Sequence, residues 1–155
     1  YIIRKIKTSD LEELVKLMQI ADYRPDHWSV HIIKKYLIKK GHYILIALNK
    51  NKIIGYVGLK DIENEDERIR KILGDLVDKI GCLEWIAVHP DYRNRGVASA
   101  LLRASETMIK KRKITGLWLD CRKKVTQLYE KNNYLLKGNY SQDKSLKYVF
   151  VKIFN

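Results

Sequence analysis

The 155-residue chain carries 31 Lys and Arg against 18 Asp and Glu, a formal net charge of +13, with 46% hydrophobic residues and two prolines. That length holds one domain with a core and is short for two, and the composition excludes a disordered chain. No apolar run approaches a membrane span, and the start Tyr1-Ile2-Ile3-Arg4-Lys5 lacks a signal-peptide pattern.

Ile2 to Ile6 reads as a first strand. Ser9 with Glu12 forms a capping box ahead of a helix whose stripe is Leu11, Leu14, Val15 and Met18. Asp22-Tyr23-Arg24-Pro25-Asp26 is a turn-forming break. A second helix runs from about Ser29 to Lys40, with Ile32, Ile33, Tyr36 and Leu37 facing inward and Gly41 as its stop. His42 to Leu48 and Ile53 to Leu59 form a hairpin about Asn49-Lys50-Asn51-Lys52. Glu63 to Lys79 carries Ile69, Leu73, Leu76, Val77 and Ile80 at helical spacing, which predicts an amphipathic helix ended by Gly81.

The central strand, Cys82 to Val88, follows. Alternation places Glu84, Ile86 and Val88 on one face and Trp85 and Ala87 on the other. A helix runs from about Val97 to Arg112, burying Val97, Leu101, Met108 and Ile109. Leu117 to Asp120 is a short strand and Val125 to Lys131 a short helix, and Tyr134 to Gly138 and Leu146 to Phe154 are the last strands. No repeat or linker interrupts them, so residues 1–155 are expected to form one mixed α/β domain. Cys82 and Cys121 give neither a disulfide framework nor a metal spacing, so no metal is expected and a reducing cytoplasm is the expected setting.

The most specific segment is the junction of central strand and following helix: Leu83-Glu84-Trp85-Ile86-Ala87-Val88-His89-Pro90-Asp91-Tyr92-Arg93-Asn94-Arg95-Gly96-Val97-Ala98-Ser99. A helix start leaves its first backbone N–H groups without partners and carries partial positive charge, a seat for phosphate. Gly96 and Ala98 keep side chains out of the way, while Arg93 and Arg95 add planar cationic donors.

The Val-His-Pro turn followed by Arg-x-x-Gly-x-Ala resembles motif A of the GCN5-related N-acetyltransferases (GNAT). With the helix at Glu63 to Lys79 set aside, the element order matches that fold over nearly the whole chain. The resemblance implies an α/β (α+β) fold with a mixed central sheet, flanking helices and one extra helix between the third and fourth strands. In it, the central strand and the strand Leu117 to Asp120 run parallel and splay at their carboxyl ends. It implies acetyl-CoA as cofactor, held by Ile86, Ala87 and Val88 and by Arg93, Asn94, Arg95, Gly96, Val97, Ala98 and Ser99. The implied activity moves acetyl to a primary amine directly, through a tetrahedral intermediate.

Leu128-Tyr129-Glu130-Lys131-Asn132-Asn133-Tyr134 is similar to the family's Leu-Tyr-Glu-Lys-x-Gly-[Phe/Tyr], which makes Tyr129 the general acid. Two positions depart from the pattern. Asn133 replaces the Gly, and Arg122 replaces an Asn that often contacts the pantetheine arm; Arg122 either reaches a cofactor phosphate or lies in solvent. Many members carry a glutamate on the central strand that drains protons from the amine, often through water. Glu84 is that residue or a solvated strand-start carboxylate, and a water relay without it is a third possibility. The backbone N–H of Val88 or His89 would meet the oxyanion. Cys121 reads as a small apolar filler.

Acceptor selectivity is expected from the break between the first two helices and from the last hairpin. Asp22 and Asp26 are candidates to pair with a cationic amine, and Tyr23, His27, Trp28 and Tyr140 to wall a pocket. Deprotonating an α-amine at pH 7 costs about 1 kcal/mol and a Lys amine about 4.6 kcal/mol, so a site without a firm base favours an α-amine. Two other functions compete. One is a catalytically silent acyl-CoA-binding sensor; the other is a basic nucleic-acid-binding protein, disfavoured because the 22 Lys are spread along the chain in pairs. Acetyl-CoA and an amine acceptor are the expected partners, with no membrane and a monomer or homodimer.

Overall fold

The computed structural model describes residues 1–22, 24–62 and 67–155. Within them lie seven strands: β1 (Ile2–Lys5), β2 (His42–Asn49), β3 (Lys52–Lys60), β4 (Gly81–Val88), β5 (Gly116–Cys121), β6 (Leu135–Gln142) and β7 (Ser145–Ile153). Five α-helices accompany them: α1 (Leu11–Ala21), α2 (Val30–Ile38), α3 (Glu67–Leu73), α4 (Val97–Lys111) and α5 (Thr126–Glu130). The chain divides into two compact units, residues 1–59 with 85–105 and residues 60–84 with 106–155.

In the first unit β1, β2, β3 and the carboxyl half of β4 are neighbours in that order. β1 runs antiparallel to β2, from Ile2 opposite Leu48 to Lys5 opposite Leu45. Lys50 and Asn51, both at positive φ, make the two-residue turn to β3, a geometry matched to the twist of a hairpin. The stripe of α1 (Leu11, Leu14, Val15, Leu17 and Met18) packs with Ile33, Tyr36 and the strand residues Ile44, Ile46, Ile53 and Tyr56 into one core, on which Trp85 and Ala87 also rest. The helix start differs from the expected capping box. A 3-10 turn at Thr8–Asp10 precedes α1, so Asp10 is the residue that reaches back, accepting from the Lys7 N–H at 2.7 Å and from Arg4.

In the second unit the amino half of β4 is followed by β5, β7 and β6. β4 and β5 are parallel and pair at Gly81–Leu117 and Cys82–Trp118, where the ladder ends among the described residues. Leu83 and Glu84 therefore lie beyond the last paired rung, the divergence expected of these strands. β6 extends to Gln142, past the expected Gly138, because Asp143 and Lys144, both at positive φ, form the tight turn to β7.

The helix expected over Glu63 to Lys79 is shorter and broken. Residues 63–66 lie outside the described ones. α3 covers Glu67–Leu73, Gly74 at φ +59° breaks it, and a 3-10 turn spans Gly74–Asp78. Its apolar stripe is nonetheless buried: Ile69, Leu73, Val77 and Ile80 form one core with Cys82, Trp118, Val149 and Val151. That stripe is internal to the unit, so it is not a surface left for a partner. The segment is a core element of this unit.

Candidate functional site

The first unit contains the segment expected to seat an anion. The 3-10 turn Pro90–Tyr92 follows β4, then Asn94 at φ +61° and Gly96 at φ +81° bend the chain into α4. The first described rung of α4 is the Ala100 N–H to the Gly96 carbonyl at 3.0 Å, so the amides of Val97 and Ala98 precede the ladder. A Cβ added at Gly96 would meet no atom within 4 Å, so the space over this backbone is open.

Arg93 is exposed and donates through its Nε to the Val88 carbonyl at 3.0 Å. Arg95 lies 5.4 Å from the centre of the Tyr92 ring, and Lys52 stands 5.6 Å from the same ring. Lys52 escaped the sequence reading because it opens β3, forty residues upstream in chain order; only the hairpin register brings it to Tyr92. Helix-start amides, positive-φ backbone and clustered cations fit a phosphate-bearing cofactor. Ser99 is half-buried on the first turn of α4, and Ile86 and Ala87 half-buried on β4.

One expectation is corrected here. The His89 N–H donates to the Ile54 carbonyl at 2.8 Å, so it is occupied and only Val88 remains for an oxyanion. The His89 ring is also engaged, accepting from the Asp91 N–H at 3.1 Å through Nδ1, which makes it a cap of the turn.

The acceptor candidates in this unit fall into two groups. Trp28 is buried and donates its indole N–H to Asp22, whose other oxygen accepts from the Arg24 N–H at 3.2 Å. Trp28 also meets Trp85 edge-on at 4.9 Å, and Tyr36 lies 4.3 Å from Trp85. Trp28 is thus a core residue that fixes Asp22, a correction to its expected place on a pocket wall; its indole finds both an apolar bed and a half-buried acceptor, which draws it inward. His27 and Asp26 are exposed, and Tyr23 lies outside the described residues. Trp85 itself packs against this core. Gly58 makes room for it, since a Cβ there would sit 2.4 Å from the Trp85 ring.

The second unit holds the expected proton-handling groups. Tyr129 on α5 is buried, with the rings of Tyr134 at 6.0 Å and Phe150 at 5.9 Å, and burial raises its phenol well above the ordinary value. Asn133 ends this region at φ +68°, the left-handed stop that the family's Gly would give. Cys121 is buried, and burial pushes its thiol up to about 12, so it is inert at neutral pH. Arg122 is half-buried, its carbonyl accepting from the Val125 N–H at 3.1 Å.

Glu84 pairs with Lys60, Oε1 to Nζ 3.8 Å, with a quarter of its side chain exposed. Tyr140 donates its hydroxyl to Asp120 at the end of β5, while Arg68 of α3 stands over its ring at 5.1 Å. Asp120 and Arg68 carried no sequence signal, because both lie in ordinary strand and helix patterns. Tyr140 accordingly faces α3 and β5.

The model described as "Acetyltransferase (GNAT) family" matches residues 8–134, and the chain belongs to that family. It is 28% identical over 149 residues to an N-alpha-acetyltransferase of Saccharolobus solfataricus, covering 91% of this chain and 86% of the relative. The ribosomal-protein-S18-alanine N-acetyltransferase of Escherichia coli superposes with a TM-score of 0.72 at 19% identity, covering 99% of this chain and 92% of that one. An aminoglycoside 6'-N-acetyltransferase complexed with coenzyme A gives 0.78 at 12% identity, with 99% and 97% covered. The structural likenesses establish the fold. Membership makes the chain an acetyl-CoA-dependent N-acetyltransferase.

Proposed function

We propose that the acceptor is a primary α-amine, that of a protein or peptide N-terminus, in preference to a Lys side chain or a small-molecule amine. The carrying observation is the Lys60–Glu84 pair. With the candidate base already engaged by an ammonium, the site suits an amine that needs little help to lose its proton. The cost at pH 7 is about 1 kcal/mol for an α-amine against about 4.6 kcal/mol for Lys. The Saccharolobus relative, by its name, supports the same choice.

In this reading Gly96, Val97, Ala98 and Ser99 hold the cofactor phosphates through the helix start, with Arg93, Asn94 and Arg95 around them. Ile86 to Val88 line the arm. The bound cofactor supplies the acetyl thioester. Glu84 takes the proton of the amine nitrogen, directly or through water. The Val88 N–H faces the developing oxyanion. Tyr129, kept protonated by burial, gives its phenolic proton to the departing sulfur. Asp22, with Trp28 holding it, meets the acceptor's charge, and His27 shapes its approach.

The family match runs from residue 8 to residue 134 and so draws on both units, which supports reading residues 1–155 as one acetyltransferase domain. Two free, buried thiols, Cys82 and Cys121, support a reducing cytoplasmic setting.

The test is a screen of peptides with free N-termini, Lys peptides, polyamines and aminoglycosides with acetyl-CoA, read as released thiol and paired with calorimetric titration of the cofactor. Thiol release fastest with free N-termini is expected. Cofactor binding without thiol release from any amine would make the protein an acyl-CoA sensor instead.

A further inference from the structure

Glu106 of α4 is buried, and its carboxylate is gripped from two sides within the second unit. Lys152 of β7 reaches it through Nζ at 3.0 and 3.1 Å, and Tyr134 donates its hydroxyl to Oε1 at 3.2 Å. The same ammonium donates to the Asn132 carbonyl at 3.0 Å and lies 5.5 Å from the centre of the Tyr134 ring. Asn132 and Tyr134 in turn hold the end of α5. Their backbone N–H groups both donate to the Tyr129 carbonyl, at 3.1 and 3.0 Å, and the Asn132 side chain donates to the Leu128 carbonyl at 2.7 Å. Two ties thus run from the ion pair to Tyr129, one through Asn132 and one through Tyr134.

An ion pair with one buried and one half-buried partner is a poor device for stability. Its desolvation cost offsets its attraction, and apolar side chains of similar volume often serve as well or better. A proton donor, by contrast, must be held to a fraction of an ångström, and a displacement of roughly 1 Å costs about 10²-fold in rate. The pair fits the second demand.

We propose that Glu106 and Lys152 are positioning residues for Tyr129, locking the turn after α5 so that the phenol is presented in one orientation. The inference rests on the reading of Tyr129 as general acid. It gives a function to two charged residues that touch neither cofactor nor acceptor in that reading.

The test compares the double replacement Glu106→Leu with Lys152→Met in two backgrounds, wild type and Tyr129→Phe, using acetyl-CoA and the best peptide acceptor. Against wild type, kcat should fall about tenfold, with KM for both substrates within about twofold and thermal unfolding little changed. Against Tyr129→Phe, itself lowered roughly 10²-fold, the same replacement should change kcat by less than about twofold, because no hydroxyl is left to aim. Tyr134→Phe, which removes only one hydroxyl, should show the same dependence on background and carries the test if the double replacement does not fold. A wild-type kcat in the replaced protein, or an equal drop in both backgrounds, would overturn the inference while leaving the general-acid reading in place. Full turnover by Tyr129→Phe alone would overturn that reading, and the inference with it.

Discussion

Gly96 sits at φ +81° with open space where a side chain would begin, so two separate demands meet on one residue. A larger residue there is strained by the left-handed backbone, at about 1–2 kcal/mol, and would project into the space left for phosphate. Gly96→Leu should therefore keep a cooperative thermal transition yet lose acetyl-CoA binding in a calorimetric titration; retained affinity would mean that the phosphates lie elsewhere. The glycine was legible in the sequence because a strand, a turn and a helix surrounded it. Tyr129 was legible through the words of a family pattern rather than through any physical signal of its own. Its burial, and the Glu106–Lys152 pair that ties down its turn, were not, since residues 106, 129 and 152 meet only after β5, β6 and β7 have aligned. Trp28 shows the opposite failure. A Trp in a polar turn reads as an exposed wall, but Asp22 supplies its N–H with a partner and so allows it into the core.

At the scale of elements, α3 and the turn that follows it teach the most. The 3.6-residue spacing of Ile69, Leu73 and Val77 correctly marked a buried helical face, while Gly74 shows how spacing alone overestimates helix length. What lay opposite that face was illegible: Trp118, Val149 and Val151 come from strands far along the chain. Burial of Ile69, Leu73, Val77 and Ile80 contributes about 1.5–3 kcal/mol each. That sum is on the order of the whole stability of a domain. Leu73→Ala should accordingly cost about 2–5 kcal/mol in a urea titration, and deletion of residues 67–79 should abolish the folding transition. A deleted protein that still melts cooperatively and binds acetyl-CoA would show that the segment is not part of the core. Through Arg68 the same helix also reaches Tyr140 and, beyond it, Asp120 at the end of β5.

For the molecule as a whole, the order of strands and helices was readable because each element carries its own period and its own stop, and because the turns that join the hairpins use residues tolerant of positive φ. The net charge of +13 was the least informative global quantity, since it is spread over pairs of surface lysines rather than gathered by a motif. The proposed choice of acceptor rests on the pairing of Glu84 with Lys60. The most direct measurement offers one peptide that has both a free N-terminus and a Lys side chain to the protein with acetyl-CoA, and locates the new acetyl group by fragment mass spectrometry. The account predicts acetylation at the α-amine, with the Lys amine modified at least about tenfold more slowly, in keeping with the difference in deprotonation cost. Acetyl found on the Lys side chain, with the N-terminus left free, would contradict it.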